Sequence, residues 1–87
     1  MPYGSKHALI LLQRVVAAGL SDRFQLGEVC PKDRFQFVGT LGRLVAAGYI
    51  EKVIEGCGRW FYRLTVAGVA SANSKQPPRL KHHTDEA

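Results

Sequence analysis

The chain has 87 residues, of which 46% are apolar, 22% are charged and only 9% are aromatic. This length fits one domain with a small, mainly aliphatic core, and the composition excludes collagen-like, disulfide-rich and wholly disordered chains. Twelve Lys and Arg residues against seven Asp and Glu residues give a formal net charge of +5. A basic balance of this kind favours a polyanionic partner.

Several classes of protein are not expected from this sequence. No apolar stretch reaches the ~18 residues that a membrane span needs, and the N-terminus lacks the pattern of a secretory signal. Two cysteines, Cys30 and Cys57, are too few and too far apart for a zinc framework. The chain also lacks a glycine-rich phosphate loop and a nucleophile elbow. We therefore expect a cytoplasmic protein with reduced thiols that is not an enzyme and holds no cofactor or metal.

The first predicted helix spans residues 6–18. Ser5 is a good N-cap, and the apolar residues that follow it fall on one stripe at helical spacing. Gly19 can adopt the left-handed conformation that ends a helix. The tetrapeptide Val-Ala-Ala-Gly that contains Gly19 recurs at 45–48, so the same helix stop is predicted there.

Two further helices are predicted between these glycine stops. A weaker one covers 24–30 and ends before Pro31, because proline disfavours helical geometry in the preceding residue. The third helix spans Arg34–Ala47 and starts at a capping box of Asp33 with Gln36. The predicted inner stripe consists of Phe37, Val38, Leu41, Leu44 and Val45. The predicted outer side carries Phe35, Gln36, Gly39, Thr40 and Arg43.

After the second glycine stop the pattern changes to that of strands. Residues 50–54 and 60–64 are β-branched or aromatic runs, and the segment between them contains two glycines. This arrangement predicts a β-hairpin, which must pack on the helices because a hairpin alone is only marginally stable. Trp60 and Phe61 are adjacent and should point to opposite faces, one into the core and one outwards.

Thr65 is the predicted N-cap of a short last helix that ends near Ala72. The element order is then helix, helix, helix, hairpin and short helix, which is an α+β domain that is mostly α. We place this domain at 5–72, after a short lead at 1–4. Residues 73–87 form a polar tail that should be mobile.

The chain resembles winged helix-turn-helix proteins in two stretches. One is Leu41-Gly42-Arg43-Leu44-Val45-Ala46-Ala47-Gly48-Tyr49-Ile50, and the other is Tyr62-Arg63-Leu64-Thr65 followed by Ala67-Gly68. The family pattern is a leucine-rich helix, a glycine stop, an apolar strand, a basic wing and a Tyr-x-Leu-Thr close before a further helix. The resemblance covers roughly residues 5–72 and is to small bacterial or phage regulators, including arsenic-sensing and multiple-antibiotic-resistance-type repressors.

This resemblance implies a fold, a partner and a site. The implied fold is a three-helix bundle with a helix-turn-helix, a two-stranded β-hairpin wing and a short C-terminal helix. The implied function is transcription regulation through double-stranded DNA. Helix 34–47 would lie in the major groove, and the wing, 55–59, would lie on the adjacent backbone or minor groove.

Eight residues are the candidate DNA-binding residues: Lys32, Arg34, Gln36, Thr40, Arg43, Lys52, Arg59 and Arg63. Arg43 is suited to guanine, Gln36 to adenine, and Thr40 to a phosphate or a thymine methyl group. Residues 32–63 contain six Lys and Arg against three acids, so the excess charge coincides with this region. The alternative for each cation is an ordinary solvated surface residue.

Two questions stay open at this point. The glycine-bearing outer side of the third helix, together with exposed aromatic residues, also fits a winged-helix protein–protein interaction module without DNA binding, because fold alone does not decide function. The first helix is apolar nearly all round, since Ile10 and Ala17 lie on its outer side. We therefore predict a homodimer through the first helix and the C-terminal segment.

Overall fold

The first helix ends at the glycine that the sequence marks. The computed structural model describes residues 5–78 and 80, and helix α1 spans Ser5–Ala17. Gly19 has a φ of 72°, and its N–H donates to the carbonyl of Val16 at 3.0 Å. The N–H of Leu20 donates to the carbonyl of Val15 at 3.1 Å. These two bonds form a Schellman motif, which confirms the predicted helix stop.

Helix α3 spans Arg34–Ala47, which are the predicted bounds, and it ends in the same way. Gly48 has a φ of 88° and donates to the carbonyl of Val45, while Tyr49 donates to the carbonyl of Leu44 at 2.9 Å. The repeated tetrapeptide Val-Ala-Ala-Gly therefore ends α1 and α3 with the same pair of backbone hydrogen bonds. Each glycine adopts a positive φ, which turns the chain out of the helix.

The second helix is shorter than predicted. Helix α2 spans only Leu26–Val29, and the prediction of helix from residue 24 is wrong. Phe24 instead forms an antiparallel bridge with Tyr62, with N···O distances of 2.8 and 2.9 Å. The Phe24 side chain is fully buried. The backbone groups of Phe24 cannot serve a helix because they are bonded to the second strand of the hairpin.

The predicted hairpin is confirmed. Strands β1, Ile50–Ile54, and β2, Trp60–Leu64, pair antiparallel, with Ile50 opposite Leu64 and Ile54 opposite Trp60. A short 3₁₀ turn over Gly56–Gly58 joins them. The residues at the Leu64 end of the hairpin are buried, so this end anchors the hairpin while its turn projects outwards.

Helix α4, Val66–Ser74, is attached to the rest of the fold by Thr65. The Thr65 hydroxyl accepts a hydrogen bond from the N–H of Gly68 at 3.2 Å, which confirms the predicted cap, and it donates to the carbonyl of Gly48 at 2.7 Å. A side chain at Gly68 would overlap the carbonyl oxygen of Tyr49. Glycine is therefore needed where α4 crosses the start of β1.

The core extends beyond the predicted domain end at Ala72. Its largest fully buried side chains are Phe24, Leu11, Leu12, Leu44, Ile50, Val15 and Cys30. Helix α4 continues to Ser74, and both Pro78 and Leu80 are buried. The predicted mobile tail therefore begins too early. The predicted lead at 1–4 and the end of the tail at 81–87 lie outside the described residues.

The described residues form an α+β fold that is mostly helical, with four helices and one two-stranded antiparallel sheet. Helix α1 packs against both α3 and α4, and α3 packs against β1. Within this part of the chain, none of the helices has the length and apolar character that crossing a membrane requires. Among the described residues, no other element covers one side of α3 or the hairpin turn, both of which are exposed.

Candidate nucleic-acid interface

The start of α3 is fixed by an ion pair and not by the predicted capping box. The carboxylate of Asp33 accepts a hydrogen bond from Nη1 of Arg14 on α1 at 3.0 Å, and it makes no capping bond to α3. This bond lowers the pKa of Asp33. A capping bond occurs before α2 instead, where the N–H of Gln25 donates to Oε1 of Glu28 at 2.7 Å.

The buried face of α3 is rotated from the predicted stripe. Its buried residues are Phe37, Thr40, Leu41 and Leu44. Thr40 is only 6% exposed, so the prediction that it lies on the outer side and contacts DNA is wrong. Val38 is 53% exposed, so its predicted place in the core is also wrong. Helix α3 packs against α1, β1 and α2, and its buried face includes Thr40 and leaves Val38 exposed on the other edge.

The outer surface of α3 has an uncharged centre and polar edges. At helical spacing, Phe35, Gly39 and Gly42 lie opposite the buried face. Gln36 and Arg43 are seven residues apart and share one edge of this surface, and both are exposed. The other edge carries Arg34, whose side chain lies next to Gly27 of α2, and the exposed Val38.

The hairpin places its charged and aromatic residues on two faces. Lys52 Nζ lies 4.8 Å from the centroid of the Trp60 ring, and the rings of Trp60 and Tyr62 are 5.1 Å apart. On the other face, Nε of Arg63 donates to Oε1 of Glu51 at 2.8 Å. Of the two predicted site residues in the strands, Lys52 therefore has no carboxylate partner among the described residues, whereas Arg63 has one.

Neither Trp60 nor Phe61 reaches the core, which corrects the prediction that one of them would. Trp60 is 41% exposed, and its backbone carbonyl accepts from the Gln25 side chain at 2.6 Å. Phe61 is half-buried beneath the guanidinium of Arg23, with 4.0 Å between the guanidinium carbon and the ring centroid. Next to β2, the fully buried aromatic side chain is that of Phe24, whose ring centroid lies 5.8 Å from that of Tyr62.

Arginines neutralise the carboxylates near the predicted site. Glu55, which leads into the hairpin turn, pairs with Arg23 at 2.9 Å, and this contact lowers the pKa of Glu55. Asp33 and Glu51 are paired with Arg14 and Arg63. All three acidic residues of 32–63 therefore form a salt bridge with an arginine. Among the described residues, no salt bridge is made by five of the predicted site residues: Lys32, Arg34, Arg43, Lys52 and Arg59.

A groove runs between α2, α3 and the hairpin. Its volume is about 420 Å³, and its floor and walls include Leu26, Leu41, Val38, Trp60 and Tyr62. Arg34 and Glu28 also line it. The groove is a mainly apolar surface that continues from the exposed edge of α3 to the aromatic face of the hairpin.

The two cysteines have different environments. Cys30 is fully buried, and its sulfur accepts a hydrogen bond from Nη1 of Arg14 at 3.4 Å. Burial raises the pKa of the Cys30 thiol. Cys57 is exposed in the hairpin turn. Across residues 5–78 and 80, no three His, Cys, Asp or Glu side chains come together as a set that could hold a metal ion.

The sequence reasoning missed the residues that support the site from other elements. Arg14 and Arg23 were not expected to act here, and nothing in their local sequence marks them, because Asp33 and Glu55 are distant in the chain. Gln25 was missed in the same way, although Gln25 and Glu28 have the spacing of a capping box. In comparisons with protein-family models, curated proteins and solved structures, nothing matches this chain.

Proposed function

We propose that this protein is a winged-helix DNA-binding domain that regulates transcription, most simply as a repressor. The observation that carries the proposal is the pattern of charge pairing. The carboxylates of 32–63 are taken up by arginines, while five cations around α3 and the hairpin make no salt bridge among the described residues. Unpaired surface cations are what phosphate groups require for binding and counterion release.

The shape of the surface supports the same proposal. The major groove of B-DNA is about 12 Å wide and admits an α-helix, with phosphates along both edges. Arg43 lies on one edge of the outer surface of α3 and Arg34 on the other, so each can approach a different strand. Lys52 and Arg59 lie on the hairpin, and we expect them to contact the adjacent backbone or minor groove. Arg63 can bind a phosphate only after its hydrogen bond to Glu51 breaks.

A second candidate function is a protein–protein interaction module without DNA binding. The apolar groove beside Val38 and Trp60 favours it, because a cleft of about 420 Å³ has room for large apolar side chains of a peptide. The two functions differ in their dependence on salt. Binding to DNA weakens steeply as salt rises, whereas insertion of apolar side chains into the groove does not.

We also propose that the regulator is a cytoplasmic homodimer, formed through α1 and the C-terminal segment. Ile10 is partly exposed on α1, and Val66 is 89% exposed on α4. The two helices pack against each other, so a second copy can cover apolar residues of both. A dimer would present two α3 helices to two half-sites of one DNA molecule.

Selection from a pool of random DNA duplexes at two salt concentrations tests the proposed function. We expect recovery of duplex DNA at low salt, reduced recovery at high salt, and enrichment of a common sequence after several rounds. Failure to recover duplex DNA at low salt would contradict the proposal. Stable binding of an apolar peptide together with that failure would favour the interaction module.

A further inference from the structure

The first half of α3 exposes large apolar side chains where a DNA-reading helix ordinarily needs polar ones. Phe35 is 85% exposed and Val38 is 53% exposed. They are three residues apart in the helix and are therefore neighbours on its surface. Residues near the start of a recognition helix are the ones that meet base edges. The part of α3 best placed to read bases is consequently apolar.

Positive charge lies on both sides of this apolar area. The guanidinium carbon of Arg34 is 5.4 Å from the centroid of the Phe35 ring. Arg43 is exposed on the opposite edge of the same helix surface. A ligand that complements this surface has two anionic edges with an apolar group between them. A duplex groove has this arrangement, because phosphates line its two edges and the bases lie between them.

Only one base offers an apolar group in the major groove. Thymine displays its C5-methyl group there, whereas guanine, cytosine and adenine display hydrogen-bond donors and acceptors that call for polar side chains. We propose that Phe35 and Val38 select thymine by contacting its methyl group, so that the DNA bound is rich in A·T pairs. This inference rests on the proposed function and names the base chemistry that α3 reads.

Two glycines make the approach of α3 to the bases closer. A Cβ atom at Gly39 or Gly42 would meet nothing within 4 Å, so no packing inside the described fold requires glycine there. Glycine within a helix costs about 1 kcal/mol relative to alanine. Because Gly39 and Gly42 carry no side chains, Phe35 and Val38 can reach the floor of the DNA major groove without steric hindrance from neighbouring side chains.

Removing the methyl group from the DNA tests the inference while leaving the protein unchanged. The probes are a short alternating A·T duplex and the same duplex with deoxyuridine in place of every thymidine, compared by fluorescence anisotropy at the same salt concentration. We expect the deoxyuridine duplex to bind about fourfold more weakly for each methyl group that is contacted. A G·C duplex should bind more tightly when its cytosines carry a 5-methyl group, which occupies the same ring position.

Variants locate the effect on α3. Phe35→Ala and Val38→Ala should bind the thymidine and deoxyuridine duplexes with nearly equal affinity. Asp22→Asn, which changes an exposed side chain outside α3, the hairpin and the proposed dimer surface, should keep the full difference. Equal affinity of the unaltered protein for both duplexes would overturn the inference and leave the proposed function standing. Absence of salt-dependent binding to any of the duplexes would overturn both.

Discussion

Arg14 on α1 holds the carboxylate of Asp33, the residue immediately before α3, with 3.0 Å between Nη1 and Oδ1. The same nitrogen donates to the sulfur of Cys30, and the guanidinium carbon lies 5.0 Å from the centroid of the Phe37 ring. One side chain therefore joins α1 to the end of α2 and the start of α3. It also neutralises the carboxylate nearest the proposed DNA-reading end of α3.

The Arg14–Asp33 pair makes stability depend on pH. The hydrogen bond from Arg14 holds the pKa of Asp33 below its usual value. The pair therefore stabilises the fold above the unfolded pKa of about 3.9, and this contribution is lost as pH falls through the lower folded pKa. Asp33→Asn should lower Tm at neutral pH, and the difference from the unaltered protein should disappear in acid. Thermal unfolding followed by circular dichroism measures both.

Asp22→Asn is the matched control, because Asp22 is exposed and forms no ion pair within residues 5–78 and 80. Its Tm should follow that of the unaltered protein across the same pH range. A difference for Asp33→Asn that stays constant from neutral pH into acid would show that the carboxylate charge is not what stabilises this junction.

Two glycine substitutions should have opposite effects on stability. Gly68→Ala forces a methyl group against the backbone oxygen of Tyr49 and should lower the free energy of unfolding by roughly 1–3 kcal/mol. The methyl group added by Gly39→Ala contacts no other atom, and the substitution should raise the free energy of unfolding by up to about 1 kcal/mol. Urea unfolding measures both changes. If the two substitutions changed stability equally, the close approach of α4 to Tyr49 would be disproved.

Thr65 should contribute through its hydroxyl group. Thr65→Ala removes the cap of α4 and the bond to the carbonyl of Gly48, and it should cost about 1–2 kcal/mol of unfolding free energy. Thr65→Ser keeps the hydroxyl and should retain most of this stability. An equal loss in both variants would assign the effect to the methyl group of Thr65.

The proposed homodimer can be tested by sedimentation. Analytical ultracentrifugation at tens of micromolar protein should give a dimer, and Ile10→Glu should shift it towards monomer because a charge cannot be buried in an apolar contact without a partner. Gln36→Glu, which adds the same charge at an exposed position on α3, outside the proposed dimer surface, is the control. A monomer throughout this concentration range would rule out the dimer.

The parts of the fold that could be predicted from sequence depend on local chemistry. The two glycine stops, the C-terminal end of α3, both strands and the Thr65 cap follow from residues that lie within a few positions of the feature they determine. The core side of α3 was predicted less well, because Val38 and Thr40 are both plausible at its edge. The packing of α3 against other elements, which include α1 and β1, decides which of the two is buried.

The remaining errors come from contacts between distant segments. Phe24 looks helical from its neighbours, but its backbone pairs with Tyr62, which the local pattern does not show. Asp33 and Gln36 have capping-box spacing, yet Arg14 takes the carboxylate. The cations of the candidate site could be named from sequence. Which of them stay unpaired could not, because that depends on the positions of Arg14 and Arg23.

The dependence of DNA affinity on salt tests the central claim most directly. With about five phosphates contacted, log K should fall with log salt at a slope of roughly −4 to −5. Arg43→Ala and Arg59→Ala should each weaken binding and reduce the slope by about one, whereas Lys6→Ala on α1 should leave it unchanged. A slope near zero, or equal effects of all three substitutions, would contradict a DNA interface formed by α3 and the hairpin.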